Sequence, residues 1–218
     1  MTFMRRLLGF IKARYAPRGA RQTFSQCGED IVMRDILSRK GVKRIFYIDI
    51  GAHHPVFGNN TYLFYKNGGS GALVEPNESL CKLIKRKRSR DLCINAGAGA
   101  QDGEADFYSF PQSTRSTFSS SQAVSWERSS GQKPVIEKRA VLSLDTIIRD
   151  RLQGKTPDIV SIDAEGMDLP ILSAFSWSVR PKVFCIESMD GLSELMKSKG
   201  YELKARIFQN EIYADQRL

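Results

Sequence analysis

The sequence predicts an α/β protein built on a doubly wound, mainly parallel sheet with an antiparallel edge at its finish. Three observations carry this. Short, continuously apolar runs rich in β-branched and aromatic residues recur along the chain, as strands buried on both faces require. Segments at helical spacing lie between them, closed by glycine or asparagine-glycine. The buried runs also end on acids: Asp49, Glu75, Asp163 and Glu187. In an open α/β sheet the ligand crevice lies outside the carboxyl ends of the strands, so acids repeated there mark one shared site.

A chain of 218 residues fits one such domain, and 41% hydrophobic with 26% charged residues argues against wholesale disorder. The net charge of +9 is concentrated. One group is Arg5, Arg6, Lys12, Arg14, Arg18 and Arg21; the other is Lys82, Lys85, Arg86, Lys87, Arg88 and Arg90. Such clusters suit phosphate, an anionic glycan or an anionic membrane surface, or else form a loose tail and a solvated face. The cysteines Cys27, Cys81, Cys93 and Cys185 show no zinc-like spacing and point to reduced thiols in a cytoplasmic protein. No run is long enough to span a bilayer. The opening MTFMRRLLGFIK resembles a signal peptide only superficially, because Lys12 breaks its apolar run, so export is disfavoured.

In order, Met4, Leu7, Leu8, Ile11 and Tyr15 fall at helical spacing, so residues 1–22 read as a basic amphipathic segment. It would lie peripherally on a membrane, in a partner's groove, or on the domain formed by residues 23–218. Residues 25–37 form the next helix, with Glu29 and Asp30 in its first turn as the dipole prefers. The central strand runs from Ile45 to Ile50 and stops at Asp49-Ile50-Gly51, where a turn without a Cβ lets a ligand approach. A helix over residues 60–66 and a strand over 71–74 complete a βαβ unit whose Glu75 is placed to accept two hydroxyls of a ribose.

Residues 78–88 read as a basic helix and 92–95 as a third strand, followed by Ala96-Gly97-Ala98-Gly99, which leaves room for something flat. Strands at 105–110 and 139–142 bracket a Ser-rich insert at about 109–136, carrying Phe118 and Trp126, expected as a lid over the strand ends. Ser143 caps a helix over 144–152. Strand 157–163, a helix through Leu169 and Leu172, strand 181–186, a helix over 191–199 and a hairpin of 201–207 with 210–214 finish the chain.

The motifs SQCGED, IDIGAHHP with NNTY, ALVEPN, INAGAG, the STF of the insert, and DIVSIDAEGMDLPIL followed by PKVFCIE together resemble the FkbM family of S-adenosylmethionine-dependent methyltransferases. The match spans roughly residues 24–215. The resemblance implies a Rossmann-like class I methyltransferase sheet of seven strands, the last antiparallel, and O-methylation of a sugar, glycan or related hydroxyl. It assigns Asp49, Gly51 and Ala52 to the methionine part of the cofactor, with His53, Asn60 and Thr61 in the same segment. Glu75 and Pro76 fall at the ribose, Asn95 and Ala96 beside the adenine, and Asp163 and Glu165 near the methyl group. Gln26, Gly28 and Glu29 belong to a motif expected to fold over the cofactor.

For catalysis, methyl transfer needs alignment and a proton acceptor. The candidates are His53, His54, Asp163 and Glu165; histidine has the intrinsic pKa nearest working pH and is favoured. A divalent cation held by Asp163 and Glu165 is the alternative. Two rival readings are a nicotinamide-dependent oxidoreductase, which the lack of GxGxxG disfavours, and a basic nucleic-acid-binding module, which lacks interleaved aromatics. No nucleic acid partner is therefore expected. Acceptor identity and oligomeric state are not legible.

Overall fold

The computed structural model describes residues 22–111 and 116–218. The predicted N-terminal amphipathic helix lies outside the described residues. Seven strands form the main sheet: β1 (Phe46–Ile50), β2 (Ser70–Val74), β3 (Leu92–Ile94), then β8 (Ile159–Ile162), β9 (Val183–Glu187), β10 (Tyr201–Ile207) and β11 (Asn210–Asp215). Their order is β10-β11-β9-β8-β1-β2-β3, with β1 parallel to both β2 and β8, and β11 antiparallel to β9 and β10. The expected antiparallel hairpin is present, but its last strand is interior. β11 sits between β9 and β10, buried from Asn210 to Asp215, and β10 forms the edge.

The period of two in each strand sends side chains to opposite faces. Ile48, Ile50, Val160, Ile162, Phe184 and Ile186 pack on one face against Ile171, Leu172, Leu192 and Met196. These last come from α6 (Asp168–Ala174) and α7 (Leu192–Ser198). Tyr47, Leu73, Val183 and Cys185 face the other side, toward α1 (Glu29–Ser38), α2 (Tyr62–Lys66) and α3 (Glu78–Lys87). Both faces are covered, which is why these strands read as unbroken apolar runs.

A second sheet was not anticipated. It has the order β4-β7-β5-β6, from β4 (Gly97–Gly99), β5 (Gly103–Ser109), β6 (Ser116–Thr117) and β7 (Val135–Ser143). The Ser-rich insert contains a helix, α4 (Ser120–Ser130), capped by the Ser119 hydroxyl accepting from Gln122 N and closed by Gly131 in the left-handed region. The helix expected over 144–152 is one α-turn, α5 (Leu144–Thr146), continued by a π-turn, Ile147–Arg151. Residues 25–28 precede α1 rather than starting it. Asp30 is fully buried, accepting from Thr23 Oγ1 at 2.6 Å and Phe24 N at 2.8 Å. Cys81 and Cys93, with Cα atoms 6.0 Å apart, are joined as a disulfide, a correction to the expected thiols; Cys27 and Cys185 are free. Among the described residues no helix is long and apolar enough to cross a membrane.

Candidate active site

A cavity of about 910 Å³ opens at the carboxyl ends of β1, β2 and β8, where Asp49, Glu75 and Asp163 all line its wall. The two sheets meet there, and the insert contributes Thr117, Phe118, Gln122 and Trp126. Of the other residues singled out in the sequence, Gln26, Gly51, Ala52, His53, His54, Asn60, Pro76, Ala96 and Glu165 also line it. Gly28, Glu29, Thr61 and Asn95 do not line it.

Those four have other work. Gly28, at φ 100°, is the left-handed turn that starts α1. Glu29 is fully buried and ties that turn to the sheet, accepting from Cys27 N at 2.9 Å and from Asn210 Nδ2 at 3.1 Å. Asn95 donates to the Glu75 and Pro76 carbonyls at 2.9 and 3.1 Å and so fixes the exit of β2. Thr61 donates to Asp49 from behind.

Asp49 lies on the α3-facing side of β1 and is almost wholly buried. Its Oδ2 accepts from Thr61 Oγ1 at 2.7 Å and Asn59 Nδ2 at 3.0 Å. Burial raises its pKa, against the pull of Arg88 and of those two hydrogen bonds. Glu75 accepts from Asn77 N at 2.8 Å on Oε1 and from His53 N at 2.9 Å on Oε2. Each oxygen keeps a second lone pair, the number that a vicinal diol needs. Burial nevertheless pushes its pKa up to about 7.

Asp163 is raised to about 6, first by burial and then by Glu187, Asp49 and Glu29. Behind it the buried Asp168 is raised to about 7 by burial and by Asp163. Its Oδ2 has no hydrogen-bond partner among the described residues. His54 Nδ1 accepts from Val56 N at 3.1 Å and Phe57 N at 3.0 Å, so that nitrogen is spent on the loop. His53, half-buried at φ 46°, is held below the usual histidine range by burial and by His54. Among the described residues no group of three histidine, cysteine or acidic side chains is gathered in a way that could hold a metal ion.

Two readings of glycine change. A Cβ on Gly51 would fall 1.9 Å from the Asp163 carbonyl oxygen, so its missing side chain admits the end of β8 rather than a ligand. A Cβ on Gly97 would fall 2.3 Å from the Phe118 ring, so the flat group that this glycine accommodates belongs to the insert itself. Thr117 Oγ1 donates to the Glu165 carbonyl at 2.8 Å, fastening the insert to the turn after β8.

Sequence reasoning missed Asn59 and Arg88. Arg88 looked like one more member of a surface run, yet it is fully buried while Lys85, Arg86, Lys87 and Arg90 are exposed. The signal was its spacing: Cys81, Ile84 and Arg88 lie at i, i+3 and i+7, on the buried stripe. Glu187, Gln209 and Asn210 also line the cavity. Glu187 was seen as a strand-ending acid without being assigned to the site.

The family model of the methyltransferase FkbM domain matches residues 49–203. No curated protein matches the chain. Among solved structures, a TehB-like S-adenosylmethionine-dependent methyltransferase from Corynebacterium glutamicum shares 10% identity over 96% of this chain and 97% of that one, TM-score 0.45. Magnesium protoporphyrin IX methyltransferase from Synechocystis, with bound S-adenosylmethionine, shares 8% over 86% and 77%, TM-score 0.44. An O-methyltransferase from Bacillus cereus in complex with S-adenosylhomocysteine shares 12% over 96% and 88%, TM-score 0.40.

Proposed function

The chain belongs to the FkbM methyltransferase family, and from that membership we propose that it uses S-adenosylmethionine to methylate a hydroxyl of an uncharged polyhydroxyl acceptor, such as a sugar or glycan. One observation carries the cofactor assignment. Asp49, Glu75, Asp163, Glu165 and Glu187 line the cavity, and no lysine or arginine does among the described residues, in a protein of net charge +9. That wall favours a cationic ligand and opposes the pyrophosphate of a dinucleotide, which speaks against the oxidoreductase reading.

The residues fit the cofactor. Glu75 has lone pairs free for the ribose hydroxyls, and Asp49 is an acceptor for the methionine ammonium. When bound, S-adenosylmethionine supplies a methyl group on a sulfonium, open to in-line displacement. Asp163, whose pKa of about 6 lies near working pH, takes the proton of the acceptor hydroxyl. This sets Asp163 ahead of His53 and His54, one of which the sequence favoured: His54 Nδ1 is spent on its loop, and Asp163 stands at the β8 end beside the cavity. Gln26, Asn60, Gln209 and Asn210 bring carboxamides to the same wall, groups that donate to and accept from sugar hydroxyls.

The test is calorimetry with S-adenosylmethionine, S-adenosylhomocysteine and NADH. Saturable binding of the first two, abolished by Asp49→Ala and by Glu75→Ala, is expected; unchanged affinity in both variants rejects the site. Screening of neutral, aminated and carboxylated sugars with radiolabelled cofactor then tests the acceptor class.

A further inference from the structure

We infer that Arg88 is a positioning residue for the cofactor site: as a buried group that can only donate hydrogen bonds, it forces Asn59 and Thr61 to turn their donors onto Asp49. The inference rests on the cofactor reading above. Arg88 Nη1 donates to Asn59 Oδ1 at 2.9 Å, and Nη2 donates to Thr61 Oγ1 and to Tyr47 OH, both at 3.0 Å. A guanidinium has five N–H donors and no acceptor. The Asn59 amide must therefore present its oxygen to Arg88, which aims its nitrogen at Asp49 Oδ2, 3.0 Å away. The Thr61 hydroxyl, accepting from Arg88, has its own proton left for the same oxygen at 2.7 Å. Asp49 Oδ2 is thus saturated with donors and Oδ1 is left for a ligand.

Arg88 is itself locked. Its Nε donates to Asp91 Oδ2 at 2.7 Å, with both side chains fully buried. Asp91 also accepts from Gly71 N at 2.8 Å and from Tyr47 OH at 2.9 Å, so the pair is anchored to β1 and β2. The arrangement therefore pairs a buried cation with one anion that holds it and directs it toward a second, Asp49. The charged and titratable groups that act on Asp49 or are acted on by it are Arg88, Asp91, Glu75, Asp163 and Cys185. Arg88 is the cation among them.

Removing Arg88 alone leaves Asp91 as an unpaired buried charge and threatens folding. The test therefore uses Arg88→Gln/Asp91→Asn, which is charge-neutral, beside Arg88→Lys and the exposed control Arg86→Gln. Folding is checked by circular dichroism and thermal melting, and S-adenosylhomocysteine affinity is measured across pH. The double variant is expected to bind about tenfold more weakly at pH 7, with the pH midpoint for binding moved upward, so that affinity returns on alkalinisation. Arg88→Lys keeps the charge and is expected to hold the wild-type midpoint with intermediate affinity, since one ammonium cannot serve Asn59, Thr61, Tyr47 and Asp91 together. Arg86→Gln is expected to match wild type. A folded double variant, or Arg88→Lys if the double variant does not fold, with affinity and midpoint both unchanged overturns the inference. Failure of the wild-type protein to bind S-adenosylhomocysteine brings down the cofactor reading, and this inference with it.

Discussion

On one side of the cavity, the oxygens of Asp49 and Glu75 are met by donors: Asn59, Thr61 and the backbone N–H groups of His53 and Asn77. On the other side stand Asp163 and Glu187, with Asp168 buried behind them. Burial raises all three, as it does Asp49 and Glu75, but no hydrogen bond to the Asp163 or Glu187 carboxylate is made among the described residues. Asp168 Oδ1 accepts from Ala164 N at a long 3.4 Å, and Oδ2 has no partner among the described residues. Donors favour the ionised carboxylate and offset part of the burial that lifts Glu75 to about 7, whereas Asp163, at about 6, has no donor among the described residues to offset its burial. The first pair has its oxygens oriented by donors toward a bound ligand, while Asp163 and Glu187 are left unengaged for proton exchange, so the two halves of one acidic wall differ in how their oxygens are held.

The sharpest way to break this comparison is Asp163→Asn. Turnover is expected to fall about a thousandfold while cofactor affinity stays within a few-fold, read by steady-state kinetics and calorimetry. Loss of affinity instead would put Asp163 on the binding side.

Next is the pH dependence of stability without cofactor. Glu75 is raised from 4.5 to about 7, Asp163 from 3.8 to about 6 and Asp168 from 3.8 to about 7. In this window the folded protein keeps protons that the unfolded chain has released. The stabilisation is therefore complete below the unfolded values and is lost as pH climbs through about 4 to 7, by about 3–4 kcal/mol for each group taken alone. Thermal melts of the apo protein should fall over that range, and saturating S-adenosylmethionine should offset the fall. A melting temperature that rises instead would show that these carboxyls are not held protonated.

Asp168→Asn removes a buried charge and should stabilise the protein by about 4 kcal/mol at pH 8 and by almost nothing at pH 3, measured by urea denaturation. Equal effects at both pH values would mean that Asp168 does not titrate in between. Glu75→Gln is expected to weaken S-adenosylmethionine binding by about thirtyfold, roughly 2 kcal/mol, with turnover at saturating cofactor little changed.

The main sheet was legible because burial on both faces writes itself as continuous apolar runs, and because Asp49, Glu75, Asp163 and Glu187 punctuate their ends. The second sheet was not, since Val135 and Ile136 of β7 are exposed and Gly97 and Gly99 of β4 have no side chains to form a pattern. The helix α4 hid in serines, which favour caps and turns over helix interiors. Gly97 was read correctly as a place of close approach, but sequence gives no sign of whether the approaching ring is a ligand's or Phe118. Arg88 was lost because charge is weighed as a run along the chain, whereas burial depends on the face of the helix.

The interior position of β11 bears on how the protein is made. As the chain leaves the ribosome, β10 emerges earlier, yet its hydrogen-bonding neighbour in the sheet is β11. The edge must wait, unpaired, until the later strand slots in against β9. Since Gln209 and Asn210 lie at the join and also line the cavity, the pocket can reach its final shape only after that late insertion, so nascent chains halted before residue 210 should neither close the sheet nor retain cofactor.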